Sequence, residues 1–237
     1  MHKHPTNKNL TIIEAATYNG LPLIVNTRHN TYYPYIEQYL ESNKRVMDDA
    51  LSTHPRTLAV RVDLHFPPNY FDPDYPRYNS KPEISRFIES FKSKQNSLIV
   101  KRRRNGSRAH PSFPSYIWAK EYDNEVKAHY HLIIFLNNDT FRRLGAKTTP
   151  NEASPLVNII VEAWESALNI SYRKAWNLVT IPDNASYKLK QVTSPEEDNV
   201  YRNLFKRLSY FAKENTKTYG DRQKNYSCSQ KSSQRHR

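Results

Sequence analysis

Two histidines, His129 and His131, stand at the start of the apolar stretch HYHLIIFLNND. The stretch is typical of a buried β-strand, in which residues i and i+2 point to the same side. Both imidazoles therefore lie on the face that Ile133 and Phe135 continue into the core, and two imidazoles at this spacing suit one divalent metal ion. Nine histidines in 237 residues produce such a pair by chance about 0.3 times. The interpretation as a metal site therefore depends on the position of the pair at the start of an apolar strand, because buried polar side chains need partners.

A carboxylate is the expected third ligand. The preceding predicted strand, SYIWAKEY, carries Glu121, and the short turn DNEVK would bring it alongside the histidines. Two imidazoles and one carboxylate form an open site for a divalent metal. Asp63 and His65, on the polar face of the predicted strand TLAVRVDLHF, are alternative ligands. A hydrogen-bonded structural histidine pair fits the pattern too, and the sequence leaves both interpretations open.

The last predicted helix follows the segment SPEE. Ser194 suits the N-cap, Pro195 the first helical position and Glu197 the end of a capping box, while Gly220 marks the predicted end of the helix. On a helical wheel of about 100° per residue, the apolar side chains fall in one sector. The predicted core face comprises Val200, Leu204, Leu208 and Phe211.

Tyr210 falls on the opposite, basic face of that wheel, with Lys206, Lys213 and Lys217. Neighbouring cations favour the phenolate form of a tyrosine, which makes Tyr210 a candidate nucleophile for a phosphodiester. The lysines are suited to holding a DNA backbone. The alternative is a solvated lysine-rich helix face that carries an incidental tyrosine.

The elements that must position these groups are strands interleaved with helices. Apolar periodicity predicts amphipathic helices in YYPYIEQYLESNKRVMDDAL, EISRFIESFKS and LVNIIVEAWESAL, and a further strand in WNLVTIP. The segment KRRRNGSR is predicted to be a basic turn. Hairpin-like spacing of the strands around residues 116–136 indicates an antiparallel sheet, so the predicted class is α+β.

Composition indicates a polyanionic partner. The chain has 36 Lys and Arg against 23 Asp and Glu, for a formal net charge of +13, and nucleic acid is the first candidate. Four glycines form no phosphate-binding fingerprint, and a single cysteine, Cys228, allows no internal disulfide. The N-terminus carries no secretory signal pattern. A reducing, cytoplasmic location is therefore expected.

The motifs together resemble the HUH endonucleases, the single-tyrosine initiators of rolling-circle replication. The resemblance rests on the segments RVDLHF, WAKEYDNEVKAHYHLIIFLNND, AWESALNI and LSYFAKENTKTYGD in this order, and covers roughly residues 20–230. It is closest to the inovirus-type replication proteins of filamentous phages and prophage elements. The resemblance implies a five-stranded antiparallel sheet flanked by helices. Three segments are predicted: a polar segment with an amphipathic helix at 1–52, an HUH-like domain at 53–220 and a flexible basic tail at 221–237.

The resemblance also implies an activity, namely site-specific nicking and joining of single-stranded DNA. Mg²⁺ or Mn²⁺ would be held by His129, His131 and Glu121, and Tyr210 would form a 5′-phosphotyrosine link assisted by Lys213. Lys206, Lys217 and the basic segment Arg102, Arg103 and Arg104 would bind DNA. A host helicase or polymerase is an expected partner. The alternatives are a transposase or mobilisation nuclease with the same site, and a basic DNA-binding module without catalysis.

Overall fold

The computed structural model describes residues 1–29, 31–72, 74, 81–123, 127–150, 152–215, 217 and 224–230. The predicted turn centred on residues 124–126, the predicted helix end at Gly220 and the terminal part of the basic tail, 231–237, lie outside the described residues.

Five α-helices lie in the described residues. Their bounds are α1 Glu37–Thr53, α2 Glu83–Arg104, α3 Pro155–Leu168, α4 Tyr172–Leu178 and α5 Asn199–Ser209. Short strands precede α1: β1 His2–Lys3, β2 Thr11–Glu14, β3 Thr17–Tyr18, β4 Leu21–Pro22, β5 Val25–Asn26, β6 Thr31–Tyr32 and β7 Pro34–Ile36. The strands of the main sheet are β8 Arg56–His65, β9 Ser115–Asp123, β10 Lys127–Asn137, β11 Val179–Thr180, β12 Ser186–Lys190 and β13 Tyr226–Cys228.

The main sheet is antiparallel, which confirms the predicted sheet type and the mixed class. Its strand order is β11-β8-β10-β9-β13. Strand β12 pairs with β8 further along the edge that β11 occupies, so two short strands share one edge position. The long strands β8, β9 and β10 form the centre, because their alternating apolar residues are buried on both sides of the sheet.

Each face of the sheet is covered by helices. Helices α2 and α3 pack on the face that displays Tyr130, Leu132 and Ile134. Helices α1 and α5 pack on the opposite face, where Ile133 and Phe135 lie. His129 and His131 share this second face, as the strand period predicts. The core on this face joins side chains from both sides of the predicted boundary between residues 52 and 53.

Three predicted elements differ from the structure. The basic segment Arg102–Arg104 was predicted to lie in a connecting turn, but it is helical and forms the end of α2, since Lys and Arg are good helix formers. The predicted strand WNLVTIP begins as helix: α4 reaches Leu178, and only Val179–Thr180 pairs with β8. The described part of the predicted flexible tail forms β13, held where Tyr226 stacks on Tyr39 with ring centres 4.1 Å apart.

The last helix is shorter than predicted and has another cap. Residues 195–197 form a separate 3₁₀ turn, and the Asp198 side chain accepts the N-cap hydrogen bond from the Tyr201 backbone at 2.9 Å. The helix ends at Ser209 and is followed by a 3₁₀ turn, Tyr210–Ala212. Leu204, Leu208 and Phe211 are buried as predicted, whereas Val200 is 37% exposed.

Within the part of the chain that the structure describes, no helix is both long and apolar enough to cross a membrane.

Candidate functional site

Strand register brings the predicted ligands together. His129 lies directly opposite Glu121 on β9 and opposite His65 on β8. His131 lies opposite Asp63 on β8. All these residues are therefore gathered on one face of the sheet, across three neighbouring strands, close to the start of β10.

His129, His131 and Glu121 form a buried cluster that could hold a metal ion. Each offers one ligand atom, and the three atoms lie within 4.8 Å of one another. The Nε2 atoms of the two histidines are 3.1 Å apart, and Nε2 of His131 is 3.4 Å from Oε2 of Glu121. Octahedral coordination at about 2.1 Å places neighbouring ligand atoms about 3 Å apart. The donor set and its spacing therefore fit a divalent cation.

Asp63 and His65 occupy a layer behind this cluster. Oδ1 of Asp63 lies 2.7 Å from Nδ1 of His131, on the side of the imidazole that faces away from Glu121. This contact fits an Nδ1–H donor, which turns the Nε2 lone pair toward the cluster. His65 stacks on His129 with ring centres 5.4 Å apart. Among the described residues, neither belongs to the group of three that could hold a metal ion, so Glu121 is the candidate third ligand.

The pKa values of this layer reflect strong pairing. Burial alone would raise the pKa of Asp63, but the hydrogen bond from His131 and the charges of His131 and Arg61 outweigh it and lower that pKa. Burial would likewise lower the pKa of His131, yet its hydrogen bonds to Asp63 and Glu121 raise it. Without a bound cation, the site therefore favours an imidazolium between two carboxylates.

Lys217 contacts the other side of the Glu121 carboxylate. Its Nζ is 3.0 Å from Oε1 of Glu121, with side-chain exposures of 0% and 4%. Burial opposes ionisation of Glu121, but the hydrogen bond from His131 and the charge of Lys217 hold its pKa well below the usual range. Lys217 was predicted on an exposed, DNA-binding helix face. That placement is wrong, because the residue lies beyond α5 and its ammonium is buried against Glu121.

Tyr210 lies beside the cluster. Its ring centre is 5.3 Å from that of His131, in an edge-to-face arrangement, and the guanidinium carbon of Arg61 is 5.8 Å from the tyrosine ring. The residue is partly buried at the C-cap of α5. The end of α5 thus places the tyrosine beside the candidate metal-ligand cluster, although the α-helix itself ends at Ser209.

Lys213 reaches Tyr210 by a route other than the predicted helical turn. Its backbone is extended and pairs with Tyr35 in an isolated bridge, while the next amide, of Glu214, donates to the Pro34 carbonyl at 2.9 Å. Its Nζ lies 3.8 Å from the ring centre of Tyr33 and 4.7 Å from that of Tyr210. Burial lowers the pKa of Lys213, an effect that Glu121 partly offsets.

The other predicted DNA-binding residues are separate from the cluster. Lys206 is exposed on α5, as predicted. Arg102 donates to the Thr140 carbonyl at 2.9 Å, and Arg103 donates to the Ala109 carbonyl at 2.7 Å. Arg104 is exposed at the end of α2. These three arginines lie at the end of the sheet where β10 finishes, far from the histidines.

Two residues near the site were not predicted to belong to it. Arg61 is 9% exposed and contacts Asp63 at 3.3 Å and Nδ1 of His131 at 3.0 Å. Its i, i+2 spacing from Asp63 on a strand is a sequence signal for this shared face. Tyr33 is brought in by the segment before α1, and no sequence spacing indicates its contact with Lys213.

Comparison with known proteins yields one family and two relatives. A model of the YagK/YfjJ C-terminal domain matches residues 14–229. The chain is 32% identical over 208 residues to the protein of Escherichia coli strain K12 described as uncharacterized protein YfjJ, covering 86% of this chain and 99% of that protein. It is 32% identical over 209 residues to uncharacterized protein YagK of the same strain, covering 86% and 98%. No solved structure matches the chain.

Proposed function

The chain belongs to the YagK/YfjJ C-terminal domain family, and we propose that it is a metal-dependent endonuclease that nicks and rejoins single-stranded DNA through Tyr210. The biological setting that we propose is initiation of rolling-circle replication of a phage or prophage element. The proposal follows the likeness of its motifs to HUH endonucleases, in which a paired-histidine metal site and a tyrosine act on one phosphate.

One observation carries the proposal: the ring of Tyr210 lies 5.3 Å from that of His131, a member of a cluster with metal-ligand spacing. A tyrosine placed for packing alone has no need of two buried histidines and a carboxylate at its side. The net charge of +13 supports a nucleic-acid substrate.

Mg²⁺ or Mn²⁺ held by His129, His131 and Glu121 would polarise the scissile phosphate and neutralise the charge that develops on it. The residues of the chain prepare that site. Asp63 fixes the orientation and tautomer of His131, as outer hydrogen-bond partners of metal ligands do. Lys217 orients the Glu121 carboxylate by binding its second oxygen.

In the proposed step, the Tyr210 phenol loses its proton and its oxygen attacks phosphorus. The new Tyr–O–P bond links Tyr210 to the 5′-phosphate of the downstream strand, and the bond between phosphorus and the 3′ oxygen of the upstream strand breaks. That oxygen takes up a proton and leaves as a free 3′-hydroxyl. Lys213, whose ammonium lies 4.7 Å from the Tyr210 ring, stabilises the negative charge on the phosphate or phenolate. Attack by a 3′-hydroxyl on the phosphotyrosine reverses the chemistry and joins the strand.

The test uses labelled single-stranded DNA tiled across the region beside the protein's own gene, incubated with and without Mn²⁺. We expect cleavage and a covalent protein–DNA adduct with Mn²⁺, both lost in Tyr210→Phe while DNA binding is kept. Tyr187→Phe is the matched control, because Tyr187 and Lys190 on the edge strand β12 have the same i, i+3 spacing as Tyr210 and Lys213. His129→Ala should abolish metal-stimulated cleavage.

Each alternative has its own outcome. Unchanged cleavage by Tyr210→Phe would exclude this tyrosine as the nucleophile. Binding without cleavage anywhere in the tiled DNA would favour a non-catalytic DNA-binding module. Cleavage confined to the ends of a mobile element would indicate a transposase or mobilisation nuclease with the same chemistry.

A further inference from the structure

A second basic feature lies at the far end of the sheet. The loops after α2 and β10 and the start of α3 border a half-open cavity of about 810 Å³. Four arginines are among its lining residues: Arg102, Arg108, Arg142 and Arg143. Strand β10 leads from His131 to Asn137, which at about 3.3 Å per residue separates the cavity from the metal-ligand cluster by about 20 Å. We call this feature the arginine cavity.

The walls of the arginine cavity are held by hydrogen bonds. Arg102 joins the end of α2 to the Thr140 carbonyl, and Thr140 exchanges hydrogen bonds of 2.8 Å with the backbone of His110. Gly145 has φ +79°, and a Cβ there would lie 2.4 Å from Cβ of Ser154. Because of that close approach, the loop lies directly against the start of α3. The cavity is therefore a built feature of the fold.

The charge balance of the arginine cavity is positive. Two acidic residues, Asp139 and Glu152, also line it, and Asp139 is already paired with Arg56 at 2.8 Å. Arg108, Arg142 and Arg143 are exposed. Arginine forks match phosphate oxygens in pairs, so a phosphate-bearing ligand is the chemistry that fits.

The shape and lining favour duplex DNA over a single strand or a membrane. Single-strand binding relies on aromatic rings that stack on bases. Of the described lining residues, the aromatic one is Phe141, which is 3% exposed and covered by Arg102. Backbone phosphates alone are sufficient for duplex binding. A concave pocket does not match the flat surface of a bilayer.

We infer that the arginine cavity binds the phosphate backbone of a DNA duplex that adjoins the cleaved strand. The inference rests on the proposed function for the identity of the polymer. A distance of about 20 Å corresponds to about six base pairs along a duplex. A duplex segment held at the arginine cavity would fix which phosphate of the adjoining single strand reaches Tyr210.

The test measures binding and needs no cleavage, so it is separate from the test of nicking. A labelled duplex and an oligo(dT) strand of equal length are titrated with protein in EDTA at several salt concentrations. In Arg142→Gln/Arg143→Gln we expect duplex affinity to fall about tenfold and the slope of log K against log salt to fall by about 2, or 0.9 per lost phosphate contact. Oligo(dT) binding should change much less.

Lys188→Ala/Lys190→Ala is the matched control, since both lysines are exposed on the edge strand and neither lines the cavity. Equal loss in the control pair would show general electrostatic attraction and overturn the inference. Equal loss for duplex and oligo(dT) would also overturn it.

A final measurement asks whether the arginine cavity binds a small anion instead of DNA. If millimolar inorganic phosphate saturates the wild-type cavity by calorimetry and displaces no duplex, the cavity is a site for a free phosphate and the inference fails. A slope that falls by about 0.9 in Arg108→Gln, which removes one lining arginine, and by about 2 in the double variant would support the inference. If the wild-type protein binds duplex through the arginine cavity but does not nick DNA, the proposed function fails and the inference about the cavity stands.

Discussion

The buried pair of Lys217 and Glu121 makes a quantitative prediction about Lys217→Met. The two charged atoms are 3.0 Å apart, with side-chain exposures of 0% and 4%. Removing one partner of such a pair leaves an uncompensated buried charge and typically costs about 3–5 kcal/mol. Nε2 of His131 still lies 3.4 Å from the Glu121 carboxylate, so we expect a loss of unfolding free energy of about 3 kcal/mol, at the lower end of this range.

The assay is urea unfolding of metal-free protein, with four proteins compared. The unfolding free energy of Lys217→Met should be lower by about 3 kcal/mol. Glu121→Gln/Lys217→Met should recover much of that loss, because it no longer buries an unpaired Glu121 carboxylate. Lys206→Met, an exposed lysine on α5, is the control and should change by less than about 0.5 kcal/mol. Added Mn²⁺ should stabilise Lys217→Met more than the wild type, because a divalent cation replaces the missing positive charge. If Lys217→Met costs under about 1 kcal/mol, as exposed ion pairs do, the buried pair does not hold Glu121 as described.

Three further predictions concern the layer behind the cluster and the final helix. In metal-free protein, the pKa of His131 is raised, so its contribution to stability is present below pH 6.5 and is lost as pH rises through the pKa of His131 in the folded protein. The pKa values of Asp63 and Glu121 are lowered, so their contribution to stability is lost as pH falls below about 4. The unfolding free energy should therefore peak at about pH 5–6, and a flat profile would contradict the pairing. Asp63→Asn should weaken Mn²⁺ binding, measured by calorimetry, by about 10- to 100-fold, and unchanged affinity would remove Asp63 from the site. Asp198→Ala should cost about 1 kcal/mol in urea unfolding while Ser194→Ala stays within about 0.5 kcal/mol, the reverse of what the SPEE pattern predicts.

Local periodicity predicted the faces of the central strands well. The alternation in β10 put His129 and His131 on the side of Ile133, and the short connection to β9 put Glu121 opposite His129. Such patterns are readable because a strand has period 2 and a hairpin fixes the register of its partners. The cluster of three candidate ligands therefore followed from sequence.

Long-range contacts were beyond the reach of sequence patterns. No turn joins β8 to β10, so the register that places Asp63 against His131 is set by packing of the whole core. The continued apolar and basic spacing after Ser209 predicted more helix, but the Lys213 backbone pairs with Tyr35 and ends it. The same contact, made with residues from the other end of the chain, keeps Lys213 beside Tyr210.

Identification of the residue that carries DNA tests the central claim most directly. The protein is incubated with Mn²⁺ and the tiled single strands, then digested by protease and nuclease, and the modified peptide is sequenced by mass spectrometry. We predict a nucleotide 5′-phosphate on Tyr210 and a matching free 3′-hydroxyl on the released strand. Cleaved DNA with a 5′-phosphate on no protein residue, or on a tyrosine other than Tyr210, would contradict the account.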